Sequence, residues 1–440
     1  MVQATFSGPS LCMTMTPMPL AEFTPMFVEP VGSPIRELFP YLSRPGMISL
    51  AGGYPSASLL DAQGLAMAAQ QAMQEGSAHL QYGATEGIPS LRKALAQQAL
   101  KRSMQARAED ILVTTGSQQG FDLLVRVLIS PGDAVLVEVP AYPATLQALR
   151  LAQAQMLSIP MDADGLDTEA LAQLLSTLPS SKRPKLLYTV PNFSNPRGSL
   201  LSANRRTQLV QLALQYGFWI VEDDPYGELR FDAADGLPLA MPPSLYTVAQ
   251  QMLTGSSARN PVIYLSSLSK TVAPALRVGW MLADATMLRR CSIAKQTSDL
   301  CTSPLAQAIA AAYLAGGRYA ATVECARREY QRRMQALTEG LLQLPGQPIR
   351  CTVPAGGMFV WAQLAPALDA QLLFDAAVDN GVVYVPGRAF YPDQPDVHTL
   401  RMSFAAPEIP DIQEAVQRLA RACERICHGK DRKSVLDYSS

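Results

Sequence analysis

From about residue 110 to residue 282 the chain alternates short apolar runs with longer helical stretches. No other feature limits its fold so strongly. The runs are Ile111-Leu112-Val113-Thr114, Ala134-Val135-Leu136-Val137-Glu138-Val139, Lys185-Leu186-Leu187-Tyr188-Thr189-Val190, Phe218-Trp219-Ile220-Val221-Glu222 and Val262-Ile263-Tyr264-Leu265. Residues 121–129, 144–152, 168–178 and 202–216 read as helices between them, the last capped by Ser202. Strand–helix alternation predicts an α/β domain with a mostly parallel sheet. Ligands of such sheets bind at the carboxyl ends of the strands. Five ends here carry residues with chemistry to offer: Ser117-Gln118 within a polar turn at 115–120, Tyr142, Asn195, Asp223 with Tyr226, and Ser267 with Lys270.

The last of these lies in Ser266-Ser267-Leu268-Ser269-Lys270-Thr271-Val272-Ala273-Pro274-Ala275-Leu276-Arg277. A lysine amine can form a Schiff base with an aldehyde cofactor. Nearby hydroxyls and a guanidinium can bind a phosphate, the arginine through paired donors. Taken alone, the stretch reads more simply as a surface lysine in a polar loop.

The flanks differ from the alternating region. A short helix is expected from Ser33-Pro34-Ile35-Arg36, with Ser33 as its cap. A strand at 47–50 runs into Ala51-Gly52-Gly53-Tyr54, where paired glycines let backbone lie close to a ligand. Helices are expected at 62–74, 90–106, 303–314 and 319–344. Arg327, Arg328, Arg332 and Arg333 of the last are expected on a solvated face. After residue 345 the pattern becomes α+β, with strands at 356–361, 382–385 and 398–404 and a closing helix at 410–427.

Composition excludes several function classes. With a net charge of −1 and no long basic run, nothing points to nucleic acid or an anionic membrane surface. The 7 cysteines are scattered and odd in number, so no disulfide framework is expected. Only 3 histidines occur, and Cys423 with Cys427 is a poor zinc pair, so no metal site is expected. No apolar run reaches the roughly 18–20 residues that span a bilayer. The first thirty residues lack the pattern of a signal peptide, and a cytoplasmic location is expected.

Four motifs in order, Asn195-Pro196-Arg197-Gly198, Asp223-Asp224-Pro225-Tyr226, Ser267-Leu268-Ser269-Lys270 with Arg277, and Arg401-Met402-Ser403-Phe404, make the chain resemble the fold-type I pyridoxal-phosphate aminotransferases of class I/II. The nearer likeness is to the 2-aminoadipate and kynurenine/aminoadipate branch, over about residues 32–428. The resemblance implies a large domain with a mostly parallel sheet sandwiched by helices, at 62–315, and a smaller α+β domain at 316–428. Residues 32–61 would belong to the small domain and cover the active site. Residues 1–31 would be a flexible lead-in and 429–440 a frayed tail.

The resemblance also implies roles. Lys270 would hold pyridoxal 5′-phosphate covalently and later move the substrate proton. Asp223 would pair with the pyridine nitrogen, and Asn195 and Tyr226 with the ring's phenolic oxygen. Tyr142 would stack on the ring. Ser117, Gln118, Ser267, Ser269 and Arg277 would bind the phosphate, joined by Tyr82 from the neighbouring subunit of a homodimer with shared active sites. Arg401 would take the substrate α-carboxylate, with Gly53 and Asn195 lining the substrate and Arg36 meeting a distal acidic group. Two residues depart from the family pattern. Arg197 stands where threonine is usual. Tyr54 stands where an aliphatic residue is usual, and its phenol would narrow or polarise the side-chain pocket.

The expected reaction moves the amino group of an L-α-amino acid to a 2-oxo acid such as 2-oxoglutarate by a ping-pong mechanism. The donor would be aromatic, kynurenine-like or 2-aminoadipate-like. The same scaffold also serves lyases, decarboxylases and synthases, and related domains occur in regulators behind a DNA-binding winged helix. No pattern for such a helix-turn-helix unit precedes the domain here.

Overall fold

Strand β1 (Ile48–Ser49) precedes the alternating region, which forms one eight-stranded sheet. Its strands are β2 (Ile111–Thr114), β3 (Ala134–Val139), β4 (Gln155–Asp162), β5 (Gly165–Leu166), β6 (Leu186–Thr189), β7 (Trp219–Asp223), β8 (Val262–Ser267) and β9 (Gly279–Leu282). They lie in the order β2-β9-β8-β7-β6-β3-β4-β5. Strands β4, β3, β6, β7 and β8 are mutually parallel. Strand β9 runs antiparallel to both β8 and β2, so β2 points the same way as the parallel set. The ends of β2, β3, β6, β7 and β8 therefore share one edge of the sheet.

This structure is a computed structural model that describes residues 20–28, 32–233, 236–237 and 239–436, with side chains to Cys427 in the last helix. Contacts divide the chain into two units, Met1–Gly32 and Ser33–Ser440. In the first, the described residues include one 3-10 turn, Pro25–Phe27. Most of the expected lead-in, 1–31, lies outside the described residues.

Helices flank the strands. They are α1 (Phe39–Leu42), α2 (Ala62–Gln74), α3 (Pro89–Lys101), α4 (Ser117–Leu128), α5 (Pro143–Leu151), α6 (Thr168–Thr177), α7 (Ala203–Tyr216) and α8 (Leu245–Met252), then α9 (Ala285–Gln296), α10 (Pro304–Ala315), α11 (Tyr319–Leu342), α12 (Ala370–Asp379) and α13 (Ile409–Leu436). Because helices cover both faces, successive strand residues enter different cores. Val135 and Val137 join one core with Tyr188, Ile263 and Leu265. Leu136 joins the other with Leu187, Ile220 and Tyr264. That is why the strands read as unbroken apolar runs.

A second sheet follows: β10 (Ile349–Cys351), β11 (Phe359–Leu364), β12 (Val382–Val383), β13 (Val385–Pro386) and β14 (Thr399–Ser403). Four of these form an antiparallel sheet in the order β10-β11-β14-β13. Strand β12 instead pairs in parallel with β1, tying the segment before the large sheet to the chain's last quarter.

Several expectations need correction. Ser202 stands at the N-cap of α7 without a side-chain hydrogen bond, and its carbonyl alone accepts from Arg206. Ser33 likewise contributes only its carbonyl, to Arg36, and the short helix divides into a 3-10 turn, Arg36–Leu38, and α1. Side-chain caps stand elsewhere: Asp61 on α2, Asp167 on α6, Ser244 on α8, Asp284 on α9, Ser303 on α10 and Asp369 on α12. Arg333 is not solvated. It is 1% exposed, bonded to Glu329, Glu408 and the Ala405 carbonyl. Helix α13 continues to Leu436, into the tail expected to fray, and 437–440 lie outside the described residues. Helix α4 begins at Ser117, in what was expected to be a turn. Helices α8 and α9 were not anticipated.

Candidate active site

At the shared strand edge a cavity of about 460 Å³ gathers most of the expected residues. Gly53, Tyr54, Ser117, Gln118, Tyr142, Asn195, Asp223, Tyr226, Ser267, Ser269, Lys270, Arg277 and Arg401 all line it. Arg36 and Tyr82 do not. Arg36 is exposed and lies 5.9 Å over the ring of Phe39, while its neighbours Ile35 and Phe39 form part of the wall. Tyr82 is 79% exposed.

One side of the cavity is shaped for an anion. Gly116 takes φ 85°, which lets the chain turn from β2 straight into α4. The first N–H groups of α4 are left without helical acceptors and face anions favourably. Arg277, itself at φ 52°, donates to the carbonyl of Thr115 at 3.2 Å. A Cβ on Gly116 would come within 2.5 Å of its guanidinium, so only glycine allows this approach. Opposite, Ser267 donates to the Ser269 hydroxyl at 2.7 Å and accepts from the Ser269 N–H at 3.0 Å.

The middle of the cavity holds Lys270 and Asp223. The Lys270 amine donates to the Gly53 carbonyl at 2.7 Å. Burial, aided by the Arg401 and Arg277 charges, draws it down to about 8, against the pull of Asp223. Asp223 ends β7 and is 7% exposed. Its Oδ2 accepts from the Tyr188 hydroxyl at 2.6 Å, while its Oδ1 is buried with no partner. Burial raises Asp223 to about 6, and hydrogen bonds from Tyr188 and Ser117 oppose the rise. Tyr226 is buried edge-on to Phe359, with centroids 5.7 Å apart.

Arg401, on β14, closes the other side. It is 1% exposed. It donates to Asn195 Oδ1 at 2.9 Å and to the Ala51 carbonyl at 2.5 Å, between the faces of Phe359 and Phe390. Burial lowers it to about 10, so it stays cationic at neutral pH. Its Nε is buried without a partner. Its hydrogen bonds go to neutral oxygens, so the charge is available to an incoming carboxylate.

Residues outside the motifs hold these in place. Arg206, fully buried on α7, donates to the carbonyls of Pro191, Leu201 and Pro243 and to Asn192 Oδ1. It thereby fixes the segment that carries Asn195. Glu138, at the end of β3, accepts from the Thr189 hydroxyl and the Val190 N–H, joining two strand ends. Sequence reading missed Tyr188, Arg206 and Glu138. The polar residue inside each apolar run, or one turn into a helix, was the available signal.

The cavity suits pyridoxal phosphate on the structure's own terms. An orphaned carboxylate oxygen awaits a protonated ring nitrogen, an amine of lowered pKa awaits an aldehyde, and the Gly116 turn with Arg277 awaits a phosphate. A larger cavity of about 530 Å³ lies between α3 and α11. Its Arg102 and Arg327 are engaged by Asp224 and Glu228, and it holds none of the converging residues above.

Comparisons with known proteins agree. Residues 47–419 match the family model for aminotransferase class I and II. The chain is 37% identical over 391 residues to aromatic-amino-acid aminotransferase 1 of Thermococcus litoralis, covering 88% of this chain and 90% of that one. The crystal structure of α-aminoadipate aminotransferase from Thermus thermophilus, complexed with N-(5′-phosphopyridoxyl)-L-leucine, is 36% identical and superimposes with a TM-score of 0.81, covering 90% and 96% of the two chains. The Pyrococcus horikoshii kynurenine aminotransferase structure gives a TM-score of 0.84 at 36% identity, covering 92% and 97%.

Proposed function

Given that the chain belongs to the class I and II aminotransferase family, and is a pyridoxal-phosphate-dependent aminotransferase, we propose that its preferred donor is an L-amino acid with an aromatic or kynurenine-like side chain. The observation that carries this reading is the cavity wall. Beyond Lys270, Arg277 and Arg401, the lining contains no cation, and Ile35, Phe39, Tyr54, Ala148 and Leu151 give it an apolar and aromatic part beside the polar Asp122 and Gln147. Flat apolar side chains gain both buried area and ring contacts against such a wall. The phenol of Tyr54, 43% exposed, can meet a polar group on the donor's ring.

The bound cofactor supplies an aldehyde carbon for the amino group and a protonated ring that accepts the electron pair left at the substrate's Cα. The chain's own residues do the rest. Arg401 grips the α-carboxylate by its free donors and so fixes which Cα bond stands ready. Lys270 would hold the cofactor's aldehyde carbon and, once its amine is free, would carry the proton taken from the substrate's Cα. Asp223 keeps the ring nitrogen protonated. Asn195 and Tyr226 hydrogen-bond the ring's phenolic oxygen, and Tyr142 covers one ring face. Ser117, Gln118, Ser267, Ser269 and Arg277 hold the phosphate, so the ring stays in register while amine and oxo acid exchange.

A dicarboxylic partner such as 2-oxoglutarate or 2-aminoadipate needs a second positive charge. Arg36 supplies it by turning from Phe39 toward the cavity. The test is a panel of donors with 2-oxoglutarate, using wild type and Arg36→Ala. The expected result is a kcat/KM for dicarboxylic substrates lowered about 10-fold or more, the loss of a hydrogen-bonded charge, with aromatic donors changed less than about 2-fold. Equal losses on both classes would discard the role of Arg36. A wild type that prefers acidic donors would discard the aromatic assignment.

The family resemblance assigns Tyr82 to the phosphate of a second subunit, and its exposure outside its own chain's cavity leaves it free for that role. The working unit is then a homodimer. No helix among the described residues is long and apolar enough to cross a membrane. A cytoplasmic site of action is part of the same proposal, to be checked by cell fractionation.

A further inference from the structure

Behind the cavity a line of hydroxyl groups ends on the catalytic carboxylate. Tyr188 lies on β6, paired in register with Val221 of β7, and its phenol reaches along to Asp223. The phenol O–H donates to Asp223 Oδ2 at 2.6 Å, leaving Oδ1 as the unpartnered oxygen. The phenolic oxygen in turn takes a hydrogen bond from Thr145. Thr145 is buried on the first turn of α5, and its N–H bonds the carbonyl of Tyr142, the residue assigned to the ring face. The Tyr188 ring is locked edge-on against Phe121, centroids 4.9 Å apart. Nothing in the proposed reaction uses Thr145 or Tyr188 directly.

We propose that Thr145 and Tyr188 form a donor relay that holds Asp223 as a carboxylate and aims its Oδ1 at the ring nitrogen. The need for such a relay follows from burial. Desolvation favours the neutral acid, and a neutral acid cannot hold a protonated ring nitrogen as its counter-ion. The Tyr188 O–H on Oδ2, backed by Thr145, offsets that cost together with Ser117, and polarisation along the line strengthens each bond. With Oδ2 occupied, the ring nitrogen finds only Oδ1 available. Placing Thr145 on the turn that begins at Tyr142 gives one short element control of both the ring face and the carboxylate. Tyr188 is thus a positioning residue, acting through Asp223. The proposal rests on the assignment of Asp223 to the ring nitrogen, and the test separates the two.

The test compares binding of pyridoxal phosphate with binding of its 1-deaza analogue, in which C–H replaces the ring nitrogen. Dissociation constants are measured by absorbance on the full-length chain stripped of cofactor. Tyr188→Phe keeps the ring packed on Phe121 and removes the O–H. It is expected to weaken pyridoxal phosphate about 10-fold or more, as loss of a hydrogen bond to a charge does, and the analogue less than about 2-fold. Thr145→Val, a near-isosteric change, is expected to give about a 3-fold loss confined to pyridoxal phosphate, and the double variant to be no worse than Tyr188→Phe alone. Equal weakening of both ligands by Tyr188→Phe would mean a packing role and overturn the relay. So would additive losses in the double variant. Asp223→Ala should abolish the preference for pyridoxal phosphate over the analogue. If it does not, the assignment of Asp223 itself fails. Should Tyr188→Phe not fold, the Thr145→Val pair of constants decides alone.

Discussion

A lysine amine is a cation in water and a nucleophile only when unprotonated, and the surroundings of Lys270 settle which form it holds. Burial disfavours its charged form, and Arg401 and Arg277 repel it, which together bring it to about 8. Only the unprotonated amine attacks an aldehyde. Capture of pyridoxal phosphate by the stripped chain should therefore accelerate from pH 7 to pH 9 and level off above, with a midpoint near 8. Stopped-flow absorbance would follow it. A rate still climbing at pH 10 would show an amine in its ordinary state. Lys270 was legible from its run of small hydroxyl residues and Asp223 from a polar strand end, whereas Arg401, within a buried strand, was legible only through the motif Arg401-Met402-Ser403-Phe404. Tyr188 was not legible. It occupies a core position in an apolar strand, and its hydroxyl acquires meaning only from a carboxylate on the next strand.

Elements were legible where local pattern and tertiary role agree. The five apolar runs that form β2, β3, β6, β7 and β8 were found to within one or two residues, since burial on both faces demands continuous apolar runs, whereas the two-residue β5 was not. Helix α8 escaped because it is 8 residues long, within a Pro- and Ser-rich connection. Its start is held locally by the Ser244 hydroxyl, which accepts from the Thr247 N–H, and tertiarily by buried Glu222, which accepts from the N–H groups of Leu245 and Tyr246 at 3.0 and 2.9 Å. Glu138 is the second buried acid of this kind. Desolvation raises it to about 7 from an ordinary 4.5. The folded chain then keeps a proton that the unfolded chain has lost between pH 4.5 and about 7, so this group's contribution falls as pH rises through that window and is flat above it. Glu138→Gln should remove that slope while leaving the acid-side stability nearly unchanged. Urea unfolding at pH 5, 6 and 7 would measure it, and an unchanged slope would locate the titration elsewhere.

At the scale of the whole molecule, the site draws on residues from one end of the chain to the other. Strand β14 brings Arg401 to Asn195, and the backbone at Ala51 accepts from the same guanidinium. Tyr82 remains outside, and Leu80 beside it is 61% exposed. An exposed apolar and aromatic pair of this kind fits a surface that is covered on association. Light scattering should give a dimer. Mixing Tyr82→Ala with Lys270→Ala subunits should yield hybrids more active than either parent, because one site in each hybrid has both residues intact. Hybrids no better than the parents would place Tyr82 outside the neighbouring site.

The sequence alone determined the layered α/β architecture, the order of the polar strand ends, and which lysine, carboxylate and arginine meet in the cavity. These follow from local rules: strand burial needs apolar runs, and a polar residue at a strand end is tolerated only at the sheet edge. Tertiary structure alone decided how those groups behave. It left one oxygen of Asp223 free by binding the other to Tyr188, and it left Arg401 charged in a dry pocket by giving it only neutral acceptors. It also turned Arg36 toward Phe39 at the rim. Desolvation and hydrogen-bond partnership depend on distance in space, and distance in space is what a linear pattern does not record.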